Sequence, residues 1–245
     1  MLHTTKTSAL VLFSGGLDST TCLFWAKNMF HEVHAVTFDY GQRHSREIEA
    51  AATVARIAKV ASHFVMPVNV LQRSVTRLVD TPHYSSAKDI HVKMQDETFI
   101  PFRNLLFLTL AAGRAQEVGC TDLVLGVYET ALGGYPDVRQ VFIHAAERAL
   151  SESTAGDLFS IHTPLMGLSK ADIIRTAKRM EDCWEALAFT HSCYDGQYPP
   201  SPNNRSSLLR AKGFHEAGLH DPLIVRAKRD GLLPSSYPDD GFIEG

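Results

Sequence analysis

Residues 11–21 read VLFSGGLDSTT. The apolar run Ala9–Phe13 stops at Ser14-Gly15-Gly16, and a helix-compatible stretch starts just beyond. A short apolar run closed by glycines fits a buried parallel strand. Adjacent glycines let the backbone turn with positive φ and come close to a ligand. A helix beginning there presents unpaired N–H groups and a partial positive charge. Strand, turn and helix together make an anion-binding corner, and phosphate is the expected guest. Ser14 and Ser19 add hydroxyl donors, and Leu17 and Thr20 complete the loop. Asp18 stands where it either caps the helix or holds a Mg²⁺ ion bridging phosphates. The loop is neither GxxxxGK(S/T), since no lysine follows the glycines, nor GxGxxG.

Working outward, residues 18–30 (DSTTCLFWAKNMF) read as a helix with Cys22, Leu23, Trp25 and Ala26 available for packing. Residues 31–41 (HEVHAVTFDYG) supply a second strand, 46–60 an alanine-rich amphipathic helix, and 63–70 a third strand. Strand–helix–strand–helix–strand is the pattern of a parallel sheet with right-handed crossovers. The polar stretch 71–98 breaks the rhythm and reads as a long loop or lid. Residues 103–119 then form a helix stopped by Gly119, 122–128 a buried strand, and 137–150 an amphipathic helix. Residues 167–180 open a further helix with Ser169 and Asp172 in a variant capping box. The expectation is an α/β fold, a parallel twisted sheet with helices on both faces. A nucleotide-binding domain spans 1–190, and a small C-terminal region of loop and helix spans 191–245. Within the latter, 194–207 reads as turn or loop, 208–218 as a short helix, and 232–245 as a flexible tail.

Composition narrows the partners. There are 24 Lys and Arg against 27 Asp and Glu, a net charge of −3, so no global basic field points to nucleic acid or anionic membrane. No segment is long and apolar enough to span a bilayer, and Ala9–Phe13 is too short for a signal-peptide core. The cysteines Cys22, Cys120, Cys183 and Cys193 are scattered with no CxxC pair, which gives neither a disulfide framework nor a complete metal set. A cytoplasmic location with reduced thiols is the expectation.

Ser14, Gly15, Gly16, Asp18 and Ser19 resemble the SGGxDS signature of the PP-loop ATP pyrophosphatases, an adenine nucleotide α hydrolase-like, Rossmann-like group. Four further stretches resemble the 7-cyano-7-deazaguanine synthases (QueC type). They are FDYGQRHSREIEAA (38–51), IPFRNLLFLTLAA (100–112), GVYETALGGYPDVR (126–139) and TPLMGLSKADII (163–174). The resemblance runs in order from Ser8 to about Gly218. It implies an ATP- and Mg²⁺-dependent carbon–nitrogen ligase acting on 7-carboxy-7-deazaguanine. The carboxylate would be adenylated with release of pyrophosphate. Ammonia would then give the amide, and a second ATP the nitrile, a queuosine precursor. It also implies a homodimer.

The same resemblance distributes roles. Ser14, Gly15, Gly16, Leu17, Asp18, Ser19, Thr20, Phe38, Tyr40 and Gln42 would bind ATP. Lys170 and Arg103 are cations for the departing pyrophosphate, with Asp18, Arg43 and His44 as further catalytic candidates. Arg43 and His44 follow a strand end, where ligands of open α/β sheets bind. Arg103, Asn104, Glu129, Gly134, Tyr135 and Asp137 would contact the deazaguanine. Read as residues alone, Asp137 equally suits a cap for the following helix, and Tyr135 equally fills a core edge.

The chain departs from the family pattern near its C-terminus. Cys193 is kept, but the positions of three more zinc-binding cysteines fall at Ser201, Asn204 and Ser207. Hydroxyl and amide groups are poor zinc ligands beside thiolates, so structural zinc is expected to be absent, with His191 and His215 read as ordinary histidines. Val138 stands where the family carries cysteine, and Ala131 and Leu132 make the preceding loop more apolar. These changes open a second reading: the activated acyl group passes to an amine of a partner protein, an antiviral-type protein modification. A third reading is a nucleotide-binding protein without turnover, against which the intact SGGxDS counts. A tRNA-acting pyrophosphatase is weaker still, given the net charge.

Overall fold

The computed structural model describes residues 8–40, 46–69, 99–128, 135–191, 197–202 and 205–243. Strand β1 (Ser8–Leu12) leads through the glycine turn into helix α1 (Leu17–Met29). Then come β2 (Glu32–Asp39), α2 (Arg46–Ile57) and β3 (Ser62–Pro67). Helix α3 (Arg103–Glu117), β4 (Asp122–Leu125), α4 (Gln140–Glu152) and β5 (Ser160–His162) follow. The chain continues with α5 (Lys170–Arg179), the short α6 (Cys183–Ala186), α7 (Arg205–Ala217) and α8 (Pro222–Arg229).

The five strands among the described residues are all parallel, in the order β3-β2-β1-β4-β5. Alternate residues of the central strands feed two cores, because successive side chains of a strand point to opposite faces. Ala9, Val11 and Phe13 pack with α1, α2 and α5, and Phe214 of α7 joins them. Leu10 and Leu12 pack on the other face with α3 and α4 through Leu108, Ala111, Ile143 and Ala146. The α/β class and the helices on both faces are as the sequence pattern predicts.

Several boundaries differ from expectation. Strand β4 ends at Leu125 rather than running to Tyr128. The helix expected from Asp137 begins at Gln140, because Pro136–Val138 form a 3-10 turn and Arg139 is extended. Strand β5 has only three residues, too few for a periodic signal to show. Helix α8 was also not anticipated. Asp221 caps it by accepting from the Leu223 N–H at 2.9 Å, with Pro222 at its first position. The expected flexible tail instead folds back. Lys228 Nζ donates to the Tyr237 carbonyl and to Asp239, the Asp221 N–H donates to the Asp239 carbonyl, and Phe242 stacks on His215 at 4.4 Å. The lid-like stretch 71–98 lies outside the described residues.

Among the ties between the C-terminal helices and the rest, two are arginines of those helices. Buried Arg210 makes a two-bond ion pair with buried Asp221, and also donates to Thr190 Oγ1 at 2.8 Å. Arg226 lies over the rings of Phe189 (4.5 Å) and Tyr198 (4.8 Å) and donates to the Ala188 carbonyl.

Candidate active site

The end of β1 is held from behind. The Phe13 N–H donates to the Val36 carbonyl at 2.8 Å, and the Thr37 hydroxyl donates to the Phe13 carbonyl at 2.6 Å. With its hydrogen so used, Thr37 accepts from His63 Nε2 at 2.8 Å. Burial pushes the His63 pKa down, which favours this neutral donor.

Beyond Phe13 the chain turns through Gly15, at φ +82°, where L side chains are strained. Space closes the position as well: a β-carbon there would lie 2.8 Å from the Ala51 nitrogen and 3.0 Å from the Glu47 carbonyl oxygen. On the other flank, a β-carbon on Gly126 would lie 3.1 Å from the Ser19 nitrogen and Cα. The turn is therefore wedged, main chain against main chain, between α2 and the exit of β4. The His191 N–H donates to the Gly15 carbonyl at 3.0 Å and ties in the chain beyond α6.

Within the turn the Ser14 and Ser19 hydroxyls lie 3.0 Å apart, and the Ser14 N–H points at Ser19 Oγ at 3.2 Å. Gly16 is the N-cap of α1 and no side chain caps the helix. Asp18, in the first turn, does not take the capping role. Its carboxylate accepts two bonds from Lys170 Nζ, at 2.7 and 2.8 Å. Lys170 is the first residue of α5, placed there by Ser169, which accepts from the Asp172 N–H and donates to Asp172 Oδ2. Burial opposes the Lys170 charge, but Asp18 and the Tyr128 hydroxyl outweigh it and hold the pKa above the ordinary lysine value. The Tyr128 ring lies 4.6 Å from the ammonium.

A second group gathers where α3 begins. Asn104 Nδ2 donates to the Asp137 carbonyl at 3.0 Å. The Asp137 side chain is buried, and neither carboxylate oxygen has a partner in hydrogen-bonding geometry among the described residues. Burial raises its pKa, against the Arg103 guanidinium and nearby backbone N–H groups, which draw it down. Asp137 is therefore not the cap of α4, whose N-cap is Arg139. Tyr135 stacks on Phe99 at 5.2 Å. Phe38 and Tyr40 both turn their rings to Phe107, at 4.3 and 5.5 Å, and are buried in that core. Gln42, Arg43, His44, Glu129, Gly134 and Cys193 lie outside the described residues.

The structure thus brings Ser14, Ser19, Asp18 and Lys170 into one group, and Arg103, Asn104 and Asp137 into another. Sequence reasoning missed Gly126, Tyr128 and His191. Gly126 carries a visible signal, a glycine just past an apolar strand, but its use depends on what lies opposite. Among the described residues no group of three or more His, Cys, Asp or Glu side chains is placed to hold a metal, and no helix is long and apolar enough to cross a membrane.

In this sheet β1 pairs with β2 on one side and β4 on the other, so the chain leaves it in opposite directions there. Ligands of open α/β sheets bind at such a switch point, outside the carboxyl ends of the strands. A glycine corner at that place, with a lysine–aspartate pair beside it, defines a Rossmann-like α/β protein with its candidate site at the switch point. The family model described as "Queuosine biosynthesis protein QueC" matches residues 8–218. A 7-cyano-7-deazaguanine synthase of Gloeobacter violaceus is 44% identical over 222 residues, covering 88% of this chain and 94% of that one. One of Laribacter hongkongensis is 43% identical over 219 residues, covering 89% and 94%. The chain belongs to the QueC family, and it is an enzyme of the ATP-dependent ligase kind. Among solved structures, a 4-thiouridine synthetase–RNA complex with bound ATP is similar at 16% identity and a TM-score of 0.47, over 92% of this chain and 53% of that one. That degree of likeness carries no function across.

Proposed function

We propose that this enzyme adenylates the carboxylate of 7-carboxy-7-deazaguanine and, with ammonia as acceptor, carries it through the amide to 7-cyano-7-deazaguanine. The observation that carries the reading is the Lys170–Asp18 pair beside an uncapped helix N-terminus at the glycine turn. A carboxylate oxygen of the substrate attacks the α-phosphorus of ATP and pyrophosphate leaves. Ammonia then attacks the acyl carbon, AMP leaves, and one proton is lost. The amide oxygen attacks the α-phosphorus of a second ATP and pyrophosphate leaves, and departure of AMP with loss of two protons gives the nitrile.

The glycine turn and the first N–H groups of α1 receive phosphate oxygens, since Gly15 leaves room for no side chain of its own. Lys170, kept charged, faces the negative charge that builds on the departing pyrophosphate. Asp18 keeps that ammonium in place and offers a carboxylate to Mg²⁺, an ion usually held by one or two carboxylates together with phosphate oxygens. When bound, Mg²⁺ supplies neutralisation of phosphate charge. Asp137, a buried carboxylate with no partner in hydrogen-bonding geometry among the described residues, suits the N–H donors of the guanine-like edge, with Arg103 and Asn104 beside it. The zinc set implied by the family does not fit this chain, because Ser201 and Ser207 bring hydroxyls where thiolates would stand. No step is routed through it.

The decisive assay gives purified protein ATP, Mg²⁺, 7-carboxy-7-deazaguanine and ammonium, and reads products by mass spectrometry. The expected result is the 7-cyano base with AMP and pyrophosphate. Absence of AMP formation under all conditions refutes the reading in favour of a nucleotide-binding protein without turnover. The substitutions at 201, 204 and 207 favour a second reading, in which the acceptor is an amine of a partner protein. AMP and pyrophosphate without nitrile would select it.

A further inference from the structure

Helix α7 packs along α5, and Gly213 stands at their contact. A β-carbon built on Gly213 would lie 2.3 Å from Cγ of Lys170, 3.1 Å from its Cβ, and 3.0 Å from Cδ1 of Ile174. Carbon atoms in contact prefer about 3.5–4.0 Å, so even a methyl group has no room. Gly213 is not among the residues with positive φ, so no special backbone shape calls for glycine. Inside a helix glycine is a poorer choice than alanine. What remains is space, and it is filled by the stem of Lys170. The far end of that side chain is fixed by Asp18 at 2.7 and 2.8 Å, and the Tyr128 ring lies 4.6 Å from the ammonium.

We infer that Gly213 is a positioning residue for Lys170: by presenting bare backbone, α7 lets the lysine stem lie flat and sets the reach of its ammonium over the glycine turn. The inference rests on the proposed role of Lys170. It makes the C-terminal helix, far along the chain from the SGGxDS signature, part of the active-site wall. A side chain at 213 must push the stem away at its root, and the flexible end cannot absorb that displacement without losing one of its bonds to Asp18.

The test is steady-state AMP formation from ATP, Mg²⁺ and 7-carboxy-7-deazaguanine with ammonium. In Gly213→Ala, kcat is expected to fall about 100-fold, the loss typical of a misplacement near 1 Å, with KM for ATP changed far less. Gly213→Ala/Ile174→Val removes Cδ1 of Ile174, so the lysine stem is the remaining conflict, and the same loss of kcat is expected. That variant carries the test if the single one does not fold. Gly218→Ala is the control. Gly218 ends the same region at φ +67° with open space around its β-position, so it strains the backbone without touching Lys170. Its kcat should match the parent while its Tm falls. An equal loss of kcat in Gly218→Ala would make helix stability the cause and overturn the inference. So would a parental kcat in Gly213→Ala while Lys170→Ala is inactive. Parental AMP formation by Lys170→Ala would instead overturn the role of Lys170 itself.

Discussion

Replacing Asp18 by asparagine keeps the size of the side chain and removes its charge. In the parent, Lys170 donates two bonds to this carboxylate at 2.7 and 2.8 Å, and both side chains are largely shielded from water, with 16% and 28% of their surfaces exposed. Breaking a buried pair by removing one partner costs about 3–5 kcal/mol, because the other charge is left without compensation. These groups keep some solvent contact, so the low end, about 3 kcal/mol, is the reasonable figure. Losing that compensation lowers the Lys170 pKa and makes the neutral amine easier to reach. Burial, the largest influence on this lysine, already acts downward and is offset only by Asp18 and Tyr128. The variant therefore has a Lys170 with a lower pKa than the parent's, and a larger neutral fraction near neutral pH. Competitive acetylation of lysines with trace acetic anhydride, read by peptide mass spectrometry across pH, measures this without needing activity. Lys170 of Asp18→Asn is expected to label faster near neutral pH than in the parent, once corrected for exposure by labelling at high pH. AMP formation should be lost alongside. An unchanged labelling profile with parental turnover would refute both the pairing and its part in catalysis.

Three other outcomes are expected. Asp221→Asn leaves the buried Arg210 guanidinium without its counter-charge and should lower stability by about 3–5 kcal/mol, read as a shift of the urea midpoint; an unmoved midpoint contradicts it. Burial raises the Glu47 pKa to about 7, so the folded state binds a proton that the unfolded state releases near pH 4.5, and stability from this group is lost as pH rises from about 4.5 to about 7. Glu47→Gln should thus raise Tm above pH 7 and lose that advantage below pH 4.5; a gain independent of pH would show that Glu47 is not buried as a carboxylic acid. Elemental analysis of the purified protein should find no stoichiometric zinc, and a full equivalent would mean that the alignment of Ser201, Asn204 and Ser207 with ligand positions is wrong.

What sequence could reveal depended on the range of the signal. The β1–turn–α1 unit was legible because each cue is local: an apolar run, two glycines, and an uninterrupted helical stretch. The Ser169–Asp172 cap was legible for the same reason. The partner of Asp18 was not, since Lys170 is 152 residues away and nothing in either neighbourhood names the other. Capping was one of two local readings for Asp18 and for Asp137, and neither carboxylate caps its helix: that of Asp18 pairs with Lys170, and Arg139 is the N-cap of the helix after Asp137. The resemblance links Phe38 and Tyr40 to nucleotide binding, and what their local sequence does not reveal is that both rings pack on Phe107, far along the chain. The tail, rich in Pro, Ser and Asp, lacks periodicity because it is fastened by single polar contacts to α7 and α8 rather than by a repeating face.

Gly15, Gly126 and Gly213 differ in what confronts them, and this has a genetic consequence. At Gly15 and Gly126 the obstructing atoms belong to the main chain of Ala51, Glu47, Asp18 and Ser19. No substitution elsewhere shortens a backbone, so a lesion at either position should have no intragenic suppressor of the space-making kind. At Gly213 the obstruction is the side chains of Lys170 and Ile174, and trimming Ile174 leaves the closer Lys170 stem in place. A second-site change on α5 can relieve the clash with Ile174 but not the one with Lys170, so selection for restored AMP formation after damage at any of the three should return the glycine.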